Sequence, residues 1–307
     1  MAVPDLYRRQ VALLVRSIPL VAAETCFALK GGTAINLFIR DMPRLSVDID
    51  LTYLPIATRA ASLKAIDSAM RRMAGTIGRG IAGARVGLSS LEREKCITKL
   101  LVRADGVQIK IEVTPVMRGC VYEPSARSVS PRVEDEFGFA EIQVVSFADL
   151  YAGKIVAALD RQHPRDLFDV RGLLANEGID DEIRKAFIVY LLGHNRPMAE
   201  VLAPTRRDIS MEFGRGMEGM AEKPISLNEL QSAREDLIEN IVGNMPADHR
   251  RLLISIKRGE PDWTLLGLPG MDRLPAVKWR LENLAKMEGN KRAAFLARLS
   301  EILRVVD

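Results

Sequence analysis

Aromatic residues are scarce in this 307-residue chain: Phe, Trp and Tyr together make up 5%. That argues against an extended platform for stacking nucleic-acid bases. Histidine is scarcer still, with only His163, His194 and His249, scattered along the chain. A histidine-built metal centre or a Ser-His-Asp triad is therefore not expected. The three cysteines, Cys26, Cys96 and Cys120, match no zinc or redox spacing and read as buried free thiols in a reducing compartment. No segment is apolar over the roughly 20 residues that a bilayer demands. The opening "MAVPDLYRRQVALLVRSIPL" carries Arg8, Arg9 and Arg16 within its apolar pattern, so it reads as an amphipathic helix rather than a signal peptide. The expectation is a cytoplasmic protein with no membrane partner. Walker loops, H-E-x-x-H and G-x-S-x-G are all missing. "GRGIAG" at 78–83 fits G-x-G-x-x-G, but it follows no convincing strand and no acidic residue closes a βαβ unit, so a dinucleotide site is rejected.

What is present is ordinary globular usage, 48% hydrophobic and 27% charged, with a net charge of +4 that permits a polyanionic partner without requiring one. Periodicity predicts a helix over 5–17, a strand over 45–53, a helix over 57–73 and a loop or weak strand from 75. "CITKLLVRADGVQIKIEVTPV" reads as a hairpin turning at Asp105-Gly106. Ser146 and Asp149 form a helix-start signature, and His163-Pro164 breaks that helix before another runs to Gly178. Beyond it nearly every segment is helical, near 180–192, 227–242, 246–257, 276–287 and 290–305. Two domains are expected, an α/β core over 1–145 and a helical domain over 146–307.

Four groups of residues could carry chemistry. In "RLSVDIDL", Asp48 and Asp50 share one strand face while Val47, Ile49 and Leu51 take the other. Paired carboxylates repel unless a cation such as Mg²⁺ sits between them, although a solvated acidic face has the same pattern. Gly31-Gly32-Thr33 stands just before a helical pattern, where backbone N–H groups suit a phosphate; a plain turn also explains it. Glu112, in "VQIKIEV", is a third carboxylate if its strand neighbours that of Asp48, and otherwise half of an ion pair with Lys110. In "KIVAALDRQHPRDLFD", Lys154 and Arg161 lie two helical turns apart beside Arg165-Asp166, which suits a triphosphate or an ordinary charged helix face.

Taken in order, Gly-Gly-Thr, "RLSVDIDL", "IKIEV", Lys154 and "RDLFD" resemble the DNA polymerase β-like nucleotidyltransferases. More closely, the pattern is similar to the abortive-infection AbiEii/AbiGii toxins. The resemblance implies an α+β fold, with a mixed sheet flanked by helices and then an all-helical C-terminal domain. It implies that Gly31, Gly32 and Thr33 cup nucleotide phosphates, with Arg44 and Arg161 as further nucleotide contacts. Asp48 and Asp50 would hold catalytic Mg²⁺ or Mn²⁺, with Glu112 as a possible third ligand. Lys154 would contact the triphosphate, and Asp166, or else Asp169, would complete the catalytic set. The implied activity is transfer of NMP from an NTP to an RNA, with a tRNA 3′ end as the acceptor. A cognate antitoxin is the implied protein partner and phage defence the implied setting. Nucleotidylation of a protein and nucleotide binding without turnover remain as alternatives.

Overall fold

The computed structural model describes residues 5–91, 94–217 and 219–305. The chain divides into two compact units, Met1–Ser146 with Gly214–Ile225, and Phe147–Phe213 with Ser226–Asp307. The first division falls one residue past the seam expected from sequence. The return of 214–225 to the first unit has no signature in composition or periodicity.

The first unit is built on a seven-stranded mixed sheet, as an α+β fold requires. Its strands are β1 Phe27–Lys30, β2 Asp48–Tyr53, β3 Arg85–Leu91, β4 Cys96–Ala104, β5 Val107–Arg118, β6 Ser125–Ser128 and β7 Glu141–Val144. Their order is β3-β4-β5-β2-β1-β7-β6, with β2 parallel to β5 and β1 parallel to β7. Asp105 and Gly106 form the two-residue turn between β4 and β5, with φ of +51° and +73°; that conformation matches the twist of a tight hairpin.

Alternation on β2, β4 and β5 divides the sheet into two faces. Ile49, Leu51, Leu100, Val102, Ile109, Ile111 and Val113 are all buried. Against the sheet pack α1 (Asp5–Ala22) and α3 (Arg59–Gly80), which bury Val11, Leu14 and Ile18, and Ile66, Met70 and Met73. The polar residues of the same strands take the opposite face. Between β1 and β2 lies α2 (Gly31–Thr33), which continues as a π-helix over Ala34–Ile39; Thr33 to Phe38 are buried on every side. This helix is held tightly against β2, so its first turn is fixed relative to the acidic strand.

Three elements differ from the sequence expectation. The helix expected over 57–73 runs on to Gly80, so the "GRGIAG" glycines lie at its end and not in a βα turn. The weak strand is real, but it begins only at Arg85. The short strands β6 and β7 and the intervening α4 (Pro131–Phe137) carry too few residues for a periodic signal.

The second unit is helical. Its first helices are α5 (Phe147–Arg161), α6 (Pro164–Asn176) and α7 (Asp181–Gly193). The apolar run Phe187–Leu192 of α7 is buried on all sides, which makes it the unit's central helix. Short α8 (Met198–Leu202) and α9 (Ser210–Gly216), whose last residues belong to the stretch returned to the first unit, follow, then α10 (Leu227–Ile238), α11 (Ala247–Arg258), α12 (Pro275–Ala285) and α13 (Gly289–Leu303). The expected break at His163-Pro164 is where α5 gives way to α6. Gln162 there adopts φ +52° and is buried; its amide donates to the Thr205 carbonyl and accepts from the Arg207 N–H. The His163 imidazole accepts from the Arg165 N–H at 3.2 Å and so caps α6.

Candidate active site

The acidic strand face is a row of charges that crosses four strands. Lys30 of β1 is the register partner of Asp50, Asp50 of Glu112, and Glu112 of Lys99 on β4. The order is therefore cation, carboxylate, carboxylate, cation. In the next row Asp48 faces Lys110. Like charges placed directly opposite are unfavourable, and the flanking lysines offset them. The Lys110 ammonium lies 2.9 Å from Glu112 and 3.9 Å from Asp48, while Lys99 is 3.8 Å from Glu112. Partial burial alone would lower the Lys110 pKa, but the hydrogen bond to Glu112 and the charges of Asp48, Glu112 and Asp50 together raise it. Lys30 goes the other way: burial pushes its amine down, with only partial offset from Asp50, Cys120 and Glu112. Glu112 therefore neighbours Asp50 across the strands and is also ion-paired with Lys110.

The glycine turn leans directly on this face. Gly31 has φ +75°, and a Cβ there would come within 2.5 Å of Asp50 Oδ2. A Cβ on Gly32 would come within 2.8 Å of Arg44 Nη2 and 3.1 Å of Ser46 Oγ. Both glycines are therefore explained by close approach. Arg44 is almost fully buried, donates to the Leu45 carbonyl at 2.9 Å, and has its backbone fixed by a bridge to Ala221.

The Thr33 hydroxyl is committed within the fold. The side chain is fully buried; the hydroxyl donates to the Asp48 carbonyl and lies 3.0 Å from Ser46 Oγ. A hydroxyl so committed anchors the start of β2 and is not turned out towards a phosphate. Lys30, Ser46 and Lys99 also lie at this face without a distinguishing sequence signal, and Lys110 reaches Asp48 as well as its expected partner Glu112. Alternation shows only that Lys99, Lys110 and Glu112 occupy polar positions of the hairpin strands. Their pairing partners depend on sheet order, which periodicity does not give.

In the second unit Lys154, Asp166 and Asp169 form a buried ion cluster, which Arg161 joins from the exposed side. Lys154 Nζ lies 2.8 Å from Asp166 Oδ1 and 3.1 Å from Asp169 Oδ2. Arg161 grips Asp166 with two bonds, Nε to Oδ2 at 2.5 Å and Nη2 to Oδ1 at 3.0 Å. The seven-residue spacing does place Lys154 and Arg161 on one helix face, and both reach Asp166 from it. Burial alone would raise the Asp166 pKa, but Lys154 and Arg161 outweigh it and hold the carboxyl far below the usual range. Asp166 and Asp169 both contact Lys154, so geometry does not rank one above the other.

A family model described as the nucleotidyl transferase AbiEii toxin of type IV toxin–antitoxin systems matches residues 12–283. The chain belongs to that family. The toxin is accordingly a nucleotidyltransferase, with an NTP as substrate and an antitoxin as partner. Its fold is similar to the solved structure of MenT4, a nucleotidyltransferase toxin from Mycobacterium tuberculosis H37Rv. The TM-score is 0.58 at 15% identity, over 91% of the toxin and 93% of that chain. No curated protein matches it. Among the described residues no helix is long and apolar enough to cross a membrane.

The acidic face also bears on a divalent metal. Among the described residues no three His, Cys, Asp or Glu side chains group closely enough to enclose an ion. Asp48 and Asp50 supply hard oxygens from one strand face, and Gly31 packs against Asp50 without a side chain of its own. Such a donor set fits Mg²⁺ or Mn²⁺, which are commonly held by one or two carboxylates together with substrate phosphates.

Proposed function

We propose that the toxin transfers an NMP group from an NTP to an RNA hydroxyl, at the 3′ end of a tRNA, in a reaction that depends on Mg²⁺ or Mn²⁺. The observation that carries this reading is the close approach of Gly31 to Asp50, which sets the first turn of the glycine helix directly beside the paired carboxylates. The first N–H groups of the Gly31-Gly32-Thr33 turn would bind the phosphates, with the Arg44 guanidinium behind Gly32 adding positive charge. Asp48 and Asp50 would hold the divalent cation; when bound, it neutralises charge on the phosphates and acidifies the attacking hydroxyl. The acceptor oxygen forms a bond to the α-phosphorus and pyrophosphate leaves. Lys110 balances the carboxylates of Asp48 and Glu112 while the site is empty. Lys154, Arg161 and Asp166 are proposed as required for transfer on the strength of the motif order, with Asp169 sharing Lys154. The basic charge of the chain suits an RNA partner whose binding weakens with salt. A role in phage defence goes with the same reading.

The test is incubation with labelled NTPs, total RNA and Mg²⁺ or Mn²⁺. Label is expected to enter RNA, to need the metal, and to vanish in Asp48→Ala and in Asp50→Ala. Label that survives RNase and stays with protein would replace RNA by a protein acceptor. Nucleotide binding with no transfer at all would reduce the chain to a binding module.

A further inference from the structure

Three cations of β3 and β4 share the sheet face that carries Asp48 and Asp50. One row of register partners runs Arg85, Arg103, Gln108 from β3 through β4 to β5; another runs Ser89, Lys99, Glu112 and on to Asp50 of β2. Directly opposed residues lie on one side of a sheet, so Arg85, Lys99 and Arg103 all project to the acidic side. Neither β3 (RVGLSSL) nor β4 (CITKLLVRA) contains an acidic residue. Lys99 is answered by Glu112 at 3.8 Å, but among the described residues no carboxylate pairs with Arg85 or Arg103, and both are exposed. Arg103 Nε donates to Gln108 Oε1 at 2.7 Å, which fixes the guanidinium without neutralising it.

Like charges placed directly opposite are unfavourable. Lysines offset the carboxylates of the acidic row, whereas the Arg85–Arg103 pair has no such offset. A cation on an edge strand guards against pairing with another sheet, which explains Arg85 on β3 but not Arg103 on the interior strand β4. Between this pair and Lys99 the face is almost bare. Gly87 stands opposite the half-buried Leu101, and a Cβ on Gly87 would meet only Leu101, at 3.8 Å. A small apolar floor is thus flanked by cations on both sides. From β3 to β2 is three strand spacings, roughly 14 Å.

We infer that Arg85 and Arg103, with Lys99, form a track for the phosphate backbone of single-stranded RNA, leading its 3′ end across β4 and β5 to Asp48 and Asp50. This rests on the proposed RNA acceptor and adds where that acceptor binds. Cations spread over successive rows answer the repeating charge of a nucleic-acid backbone, and the Leu101 floor takes a ribose or base between two phosphates. With no aromatic residue in β3 or β4, the contacts are to the backbone and tolerate any sequence.

The test is binding of a short 5′-labelled single-stranded RNA to the full chain over a range of salt. Arg85→Gln with Arg103→Gln is expected to weaken binding about tenfold and to lower the salt slope by about 1.4, two phosphate contacts at about 0.7 each. Lys291→Gln with Arg298→Gln, at exposed positions of α13, removes the same charge and is expected to change neither. Equal weakening by the two double variants, no weakening by the first, or no RNA binding by wild type overturns the track. In transfer assays the first variant is expected to raise KM for RNA while kcat and KM for NTP stay as in wild type. Label entering RNA with KM for RNA unchanged overturns the track alone. RNA binding that depends on Arg85 and Arg103, with no label entering RNA, upholds the track and overturns the proposed reaction instead.

Discussion

Gly31 and Asp50 approach so closely that a single added methyl group would separate them: a Cβ on Gly31 would stand 2.5 Å from Asp50 Oδ2. Gly31 also has φ +75°, where a side chain is strained. The backbone cost of Gly31→Ala is about 1–2 kcal/mol. Asp50 must move as well, and a displacement of roughly 1 Å in a positioned group costs on the order of 100-fold in rate. Gly31→Ala is therefore expected to melt at slightly lower urea and to lose nucleotide transfer out of proportion. Transfer within threefold of wild type would remove Gly31 from the site.

Lys110 competes with any cation for the acidic face, because its ammonium already contacts Glu112 at 2.9 Å and approaches Asp48 at 3.9 Å. Lys110→Met leaves Asp48, Asp50 and Glu112 without that counter-charge. Tighter Mn²⁺ binding is expected, by at least about fivefold, since two unit charges 4 Å apart interact by about 1 kcal/mol even in bulk water. Calorimetric titration of Mn²⁺ measures it, and unchanged or weaker binding would mean that Lys110 does not guard the metal position.

How far the sequence shows this arrangement depends on which interactions are local. The Asp48/Asp50 face, the Asp105-Gly106 turn and the break at His163-Pro164 follow from strand alternation and turn chemistry within a few residues. The alignment of Lys30, Asp50, Glu112 and Lys99 does not, because it needs the order β4-β5-β2-β1 and one register among several possible. Thr33 shows the same limit. Its place beside a glycine turn suggests a phosphate donor, yet packing of α2 on β2 turns its hydroxyl inward to Asp48.

Asp166 carries a stability that depends on pH. Its folded pKa is depressed, because Lys154 and Arg161 outweigh the effect of burial. The stabilisation is present above the unfolded value, near pH 4, and is lost as pH falls below it towards the much lower folded value. Asp166→Asn takes away the carboxylate that Lys154 and Arg161 share. Removing one partner of a buried pair costs about 3–5 kcal/mol, here partly relieved because Asp169 still contacts Lys154 at 3.1 Å. Urea unfolding at pH 7 and pH 3 is expected to show a large deficit at neutral pH that narrows in acid. A constant deficit would mean that the loss is one of packing and not of charge.

Lys257 behaves in the opposite sense. It is 7% exposed, its ammonium sits 4.5 Å over the Phe295 ring, and among the described residues no carboxylate pairs with it. Burial, with Arg280 and Arg292 adding repulsion, pushes it down to about 8. Between that value and the ordinary lysine range near 10.4 the unfolded chain holds more protons than the folded one, so stability rises with pH across this window. Below pH 8 the full cost of keeping the charge inside is present. Lys257→Met keeps the stem and its contact with Phe295 while deleting that charge. It is expected to stabilise the toxin at pH 7 by about 1 kcal/mol once solvent screening is allowed for. Against wild type, the gain should shrink by pH 9.5, where Lys257, titrating at about 8, has mostly lost its proton. Urea melts of both proteins at the two pH values measure this; a variant less stable at pH 7 would show that the cation–π contact outweighs the burial of charge.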